Sequence, residues 1–221
     1  YSPAPTCGPS RAGLLTGQHP AKTGFTHVNG SRLPKSPSDQ LMVSPFFHNN
    51  LPHGKNEIII SQALQKNGYR TAQVGKWHIH GPKIGFDVAY TKRGAHAATK
   101  NRSKDFSGHS SKEKFPLGKT LYPPISEKHP EGIPYPYQPV TEQALKFIRD
   151  STDDEKPFFL YLAHWMVHYP IMTRNRDLLE YYTDKLGIDF PTSKKNITTT
   201  GQTNPYYGAM VTTVDQSLGR L

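Results

Sequence analysis

The sequence is almost without cysteine. One thiol, Cys7, stands in 221 residues, which excludes an internal disulfide framework. A single Cys can be a buried apolar residue, a surface thiol or a nucleophile, and the count alone does not choose among them. Long apolar runs are missing too. No stretch approaches the roughly 20 residues of a membrane-spanning helix, so no membrane span is expected. No leader segment is legible, but the chain opens on Tyr1 with no start Met, so that absence excludes nothing. There is no internal repeat. Acidic residues are outnumbered, 17 Asp and Glu against 27 Lys and Arg, for a formal net charge of +10. Such an excess attracts polyanions: nucleic acid, anionic membrane, or sulfated and phosphorylated substrates. No nucleic-acid-binding motif accompanies the charge, so no nucleic-acid partner is expected.

What is present is glycine and proline, 18 and 20 residues, which predicts much loop and turn. The length suits one α/β domain or a large part of one. Residues 8–17, GPSRAGLLTG, read as a short helix with Pro9 in its first turn and Gly17 at its end. Cys7 then sits at a helix start, where free N–H groups favour an anion. A helix is expected at 57–67, capped by Asn56, stopped by Gly68, with Ile60, Ala63 and Leu64 on its apolar face. Tyr69 to Trp77 reads as a buried strand. Residues 91–140 form a long basic, Pro-rich excursion. A helix follows at 141–151, an apolar strand FFLYLA after Pro157, and a last helix at 205–221 with Met210, Val214, Leu218 and Leu221 on one stripe. The alternation predicts an α/β architecture with a largely parallel sheet.

Three segments could carry chemistry. The first is CGPSRAGLLTG, residues 7–17. A thiol and an arginine at a helix start suggest a cysteine phosphatase, but that family needs five residues between them, and Cys7 and Arg11 have three. The pattern Cys-x-Pro-Ser-Arg followed by Leu-x-Thr-Gly, carried by Cys7, Pro9, Ser10, Arg11, Leu15, Thr16 and Gly17, instead resembles the signature of the type I sulfatases. The second segment is GYRTAQVGKWHIHG, residues 68–81, similar to the same family's Gly-Tyr-x-Thr and Gly-Lys-Trp-His signature. An extended backbone here would put Lys76, His78 and His80 on one face and Trp77 and Ile79 on the other. Lys76 and His78 suit an oxyanion site, the alternative being a solvated lysine and a core-packed imidazole. His80 departs from the family pattern, where Leu-Gly is usual, and is structural or substrate-facing. The third is PFFLYLAHWMVHYP, residues 157–170. His164 and His168 have the spacing of a zinc helix, but Trp165 occupies the place of the required Glu and an apolar strand precedes. The segment resembles the family strand ending in His-x-x-His-x-Pro.

The resemblance implies a formylglycine made from Cys7, with the motif Cys7, Pro9, Ser10 and Arg11 directing that oxidation by a formylglycine-generating or equivalent maturation enzyme. The aldehyde hydrate supplies one hydroxyl to attack sulfur and a second to expel sulfate, splitting one hard step into two. By the same resemblance, Cys7 as formylglycine is the nucleophile and a metal ligand. Arg11 holds the hydrate and the metal-site geometry, and Lys76 binds sulfate and formylglycine. His78 assists elimination, and His168 contacts sulfate or acts as general acid. His164 is either a substrate contact or an imidazole satisfied by backbone bonds. Ser10 serves motif geometry or a helix-start hydrogen bond. Asp215 is expected on a polar helix face rather than as a ligand.

The expected fold is the alkaline-phosphatase-like α/β sandwich, a mostly parallel sheet flanked by helices. The expected cofactor is one divalent cation, Ca²⁺, held by carboxylates lying outside this chain. Residues 1–221 are expected to be a piece of a catalytic domain cut at both ends, and inactive alone. The implied activity is sulfuric ester hydrolysis, with a sulfated small molecule or glycan as substrate. A phosphonate or phosphodiester hydrolase of the same superfamily, and a non-catalytic polyanion binder with unmodified Cys7, are the alternatives. The expected location is periplasmic, extracellular or lysosomal. Asn101-Arg-Ser103 and Asn196-Ile-Thr198 are glycosylation sequons if the chain is secreted from a eukaryotic cell.

Overall fold

The computed structural model describes residues 1–26, 58–79, 85–90, 138–168, 171, 173, 175–190 and 202–221. Its elements run α1 (Cys7–Thr16), α2 (Pro20–Thr23), α3 (Ile60–Lys66), β1 (Arg70–Gly75), β2 (Val88–Tyr90), α4 (Pro139–Asp153), β3 (Phe158–Ala163), α5 (Arg176–Leu186) and α6 (Pro205–Gly219). They fall into two compact units. Residues Tyr1–Ala89 with Ser151–Tyr161 form the first, and Tyr90–Asp150 with Leu162–Leu221 the second. Asn56, His80, both sequons and residues 91–137 lie outside the described residues.

The first unit is organised by a three-stranded sheet in the order β2-β1-β3. The Arg70 N–H donates to the Pro157 carbonyl at 2.9 Å, joining the leading ends of β1 and β3, as a parallel pair requires. At the leading end of β2, the Asp87 carboxylate accepts from the Thr71 N–H at 2.7 Å and from the Thr71 hydroxyl at 3.0 Å. The interior of β1, Thr71 to Gly75, is buried throughout, so it reads as a continuous run rather than an alternation. The core gathers Ala12, Leu15, Phe25, Ile59, Trp77 and Ile79, with Phe86 and Tyr161 against it. Fully buried Leu15, Phe25 and Ile59 each contribute about 1.5–3 kcal/mol by burial. This packing holds α1 against the segment after β1, because Ala12 and Leu15 sit in one cluster with Trp77 and Ile79.

Around α3 the expected apolar face is not the buried one. Ile60 is 42% exposed while Ser61 is fully buried. The helix starts at Ile60, and the Gln62 side-chain oxygen accepts from the Ile59 N–H at 3.0 Å, satisfying one of the donors at its start.

In the second unit α5 packs on α6. Leu179 and Tyr206 form its small core, with Ile171 and Phe190 against them. Both helices are capped by asparagine: Asn175 Oδ1 accepts from the Leu178 N–H at 3.0 Å, and Asn204 Oδ1 from the N–H groups of Tyr206 and Tyr207. The stripe expected on α6 is turned. Met210 is buried, but Leu218 is 57% and Leu221 40% exposed, and Val214 is only partly covered. The buried face is Tyr206, Ala209, Met210, Thr213, Gln216 and Ser217, which follows helical spacing but includes polar groups. Two of its hydroxyls find partners: Thr213 donates to the Ala209 carbonyl at 2.8 Å and Ser217 pairs with Thr141 at 2.6 Å. α4 begins at Pro139, inside the region expected to be excursion, and the partly buried Arg220–Glu142 pair at 2.6 Å ties it to the end of α6.

Candidate active site

Cys7 is the first residue of α1. Thr6 precedes it in extended conformation and places no side-chain oxygen on the helix start. Pro9 has no N–H, so the donors near the thiol are the backbone N–H groups of Cys7 and Gly8, at the positive end of the helix. Ser10 closes the motif locally. Its hydroxyl lies 2.6 Å from the Ala4 carbonyl and 2.7 Å from the Thr6 carbonyl, and Ser2 donates to it at 2.8 Å. The segment entering α1 and its first turn are thus held as one piece.

The second motif meets the first across 71 residues of sequence. Cys7 Sγ lies 2.9 Å from His78 Nδ1. The route to this contact is not the extended backbone expected. β1 ends at Gly75, whose φ is 100°, and His78 has φ 57°. Gly75 supplies a backbone conformation that side chains resist. His78 occupies the left-handed region despite its side chain, a strain of order 1–3 kcal/mol that recurs at functional sites. Lys76 and His78 therefore lie beyond β1 and do not share a strand face. Instead, Trp77 and Ile79 bury into the core on either side of His78 and hold its ring on the thiol. Gly8 allows the approach. A Cβ there would stand 2.9 Å from the Phe25 ring and 3.2 Å from the His78 carbonyl.

Lys76 is 3% exposed. Burial pushes its ammonium below the ordinary lysine value; the Cys7 thiol opposes this by charge and by a hydrogen bond, and Arg11 adds to the lowering. Arg11 Nη1 donates to the Lys76 carbonyl at 2.9 Å and to the Tyr161 hydroxyl at 3.1 Å. Cys7, Arg11, Lys76 and His78 are thereby brought together in the first unit. Tyr161 joins them. Sequence reasoning missed it inside FFLYLA, though a phenol in a buried run needs a partner for its hydroxyl.

His164 and His168 belong to the second unit. They follow β3 and lie on no helix, so they do not form the spacing of a zinc helix. His164 Nε2 is 2.9 Å from the Ser217 hydroxyl, and burial lowers its pKa to about 4. His168 is exposed, and its N–H donates to the Trp165 carbonyl at 3.2 Å. Asp215 is exposed on α6.

The family model for sulfatases matches residues 1–221. The chain belongs to the sulfatase family. Curated relatives of this sulfatase chain include mouse N-acetylgalactosamine-6-sulfatase, 29% identical over 177 residues and covering 77% of this chain and 32% of that protein. The human N-acetylgalactosamine-6-sulfatase is 30% identical over 179 residues, with the same coverage, 77% and 32%. An arylsulfatase of the sea urchin Hemicentrotus pulcherrimus is 29% identical over 181 residues, 73% of this chain and 28% of that one. The sulfatase chain thus spans about a third of the length of these relatives, 32% of the mouse protein. Among solved structures, a protein in complex with its substrate D-glucosamine-2-N,6-O-disulfate superposes with TM-score 0.56 at 18% identity, over 100% of this chain and 52% of that one. A second, i-CgsB in complex with k-i-k-neocarrahexaose, gives TM-score 0.54 at 24% identity, over 100% and 44%. The fold of the sulfatase chain is accordingly α/β and alkaline-phosphatase-like.

A divalent cation is implied by this membership. Calcium takes six to eight oxygen ligands. Among the described residues no three His, Cys, Asp or Glu gather as a metal cluster, and Arg11 and Lys76 beside Cys7 are cationic groups that repel a cation. The described residues do not by themselves fit Ca²⁺. No helix among them is long and apolar enough to cross a membrane.

Proposed function

We propose that residues 1–221 are part of the catalytic domain of a sulfuric ester hydrolase acting on sulfated carbohydrates, with formylglycine made from Cys7 by a maturation enzyme. The observation that carries this reading is the 2.9 Å contact between Cys7 Sγ and His78 Nδ1 at the start of α1, with Lys76 and Arg11 beside it. The thiol stands where the oxygens of an aldehyde hydrate would stand, and that hydrate supplies a nucleophile with its own exit.

The residues around it have separable tasks. Lys76, taken out of water, offers a positive charge whose attraction for a sulfate oxygen is stronger than at the surface. His78 Nδ1 lies within reach of a proton on the Cys7 side chain, so it accepts that proton and returns it. The start of α1 contributes dipole and N–H donors to the same negative charge. Arg11 fixes the Lys76 carbonyl and so the course of the chain between Lys76 and His78. We assign His168 to sulfate contact or leaving-group protonation, since it is the exposed imidazole of the third motif. His164 we assign to structure, because Ser217 engages its ring and burial keeps it neutral. A cation at Cys7 would need carboxylates from beyond the described residues. The names of the relatives support a sulfated glycan substrate, and we assign the protein a periplasmic, extracellular or lysosomal location.

The test is turnover of matched sulfate and phosphate esters of one sugar or phenol by the full-length protein, read as inorganic sulfate or phosphate released. Faster turnover of the sulfate ester is expected. Preference for the phosphate ester moves the reading to the phosphohydrolase alternative. No turnover of either by protein shown to contain formylglycine contradicts it.

A further inference from the structure

Arg11 is only half used by its surroundings. Nη1 carries two hydrogen bonds, to the Lys76 carbonyl and the Tyr161 hydroxyl, which engages both of its N–H groups. Nε is buried and has no acceptor among the described residues. A buried charged donor without a partner is costly, so the geometry anticipates an acceptor. Nε–H and one N–H of Nη2 point the same way, the fork that grips a carboxylate, sulfate or phosphate through two oxygens.

What decides which edge of the guanidinium is left open is the pair of acceptors on Nη1. The Lys76 carbonyl is backbone, set by the chain after β1. The Tyr161 hydroxyl is a side chain whose place is set by packing: its ring joins the core cluster and stacks on Phe86 at 6.4 Å and 23°, and Phe86 meets Trp77 edge-on at 6.1 Å. Burial raises the Tyr161 phenol above its ordinary value, with Arg11 opposing, so it is a neutral acceptor at physiological pH. A neutral acceptor orients a guanidinium without cancelling its charge, whereas a carboxylate in that place would take the fork for itself.

We propose that Tyr161 is a positioning residue of this site: its hydroxyl holds Nη1 of Arg11 so that the Nε/Nη2 fork remains open to an oxyanion at the Cys7 centre. The inference rests on the hydrolase reading. The variant that tests it is Tyr161→Phe in the full-length protein, which keeps the ring and its stacking and removes only the oxygen. With formylglycine content matched by mass spectrometry and assays run well below both melting temperatures, kcat for a sulfate ester is expected to fall about tenfold with KM unchanged. Crystals of the variant are expected to show the Arg11 guanidinium rotated from its Lys76 contact or in more than one orientation. Unchanged kcat with Arg11 unmoved overturns the proposal, as does a loss of melting temperature with kcat unchanged. If the parent protein itself hydrolyses no ester, the hydrolase reading fails separately. The positioning claim is then decided by the crystals alone: a turned guanidinium supports it and an unmoved one overturns it.

Discussion

Two imidazoles in this chain each meet one side-chain partner at 2.9 Å, and their surroundings give them different work. His78 is partly exposed, sits in left-handed backbone, and faces the Cys7 thiol among Lys76 and Arg11. His164 is half-buried against Ser217, which in turn meets Thr141 at 2.6 Å. Burial holds His164 at a pKa of about 4, so it stays neutral and serves as one link of a hydroxyl chain between β3's end, α6 and α4. Residue type is the same in both; the neighbouring thiol, nearby cations and backbone strain set the proposed reactive centre apart from the hydroxyl-bound imidazole.

The comparison breaks most sharply at Cys7. Cys7→Ala in the full-length protein should lower sulfate-ester turnover about 10⁴-fold or more, read as sulfate release, with the thermal transition retained. Lys76→Ala comes next, with an expected loss of about 10²–10³ in kcat/KM, because the charge it offers is desolvated. On the His164 side the expected effect is on stability. Its folded pKa, about 4, lies below the ordinary 6.5. The unfolded chain therefore binds more protons between those values, and stability present above pH 6.5 is lost as pH falls toward 4, by roughly 3 kcal/mol in all. Denaturant titrations across that range should show the loss, and His164→Gln should flatten it; an unchanged slope would remove His164 from the account. Gly8→Ala sharpens the reactive side with a smaller effect. The added methyl must displace the Phe25 ring and the His78 carbonyl. Overpacking of about 1–3 kcal/mol and a roughly tenfold drop in kcat are expected, measured by melting and by turnover.

Much of the reactive side was legible because its residues lie in two short motifs, and a helix start beside a strand end is a simple meeting. Tyr161 was not legible: it lies 150 residues from Arg11 in sequence and inside an apolar run whose pattern signals only burial. The face assignment of Lys76 and His78 failed because alternation assumes extended backbone, and Gly75 and His78 depart from it. The α6 stripe failed for a different reason. Thr213 and Ser217 go inward in place of Leu218, since hydroxyls can be buried when a carbonyl or another hydroxyl receives them. α5 escaped notice because RDLLEYYTDKL has too few aliphatic residues to stand out, and its start is marked only by Asn175.

The central claim is that Cys7 is the precursor of the nucleophile, and the most direct measurement is the mass of the tryptic peptide containing it. The protein should be full-length and produced with formylglycine-generating machinery. The account predicts a loss of about 18 Da at Cys7 and capture of the product by an aldehyde reagent. An unmodified thiol under those conditions would contradict it and leave the chain as a polyanion-binding member of the family.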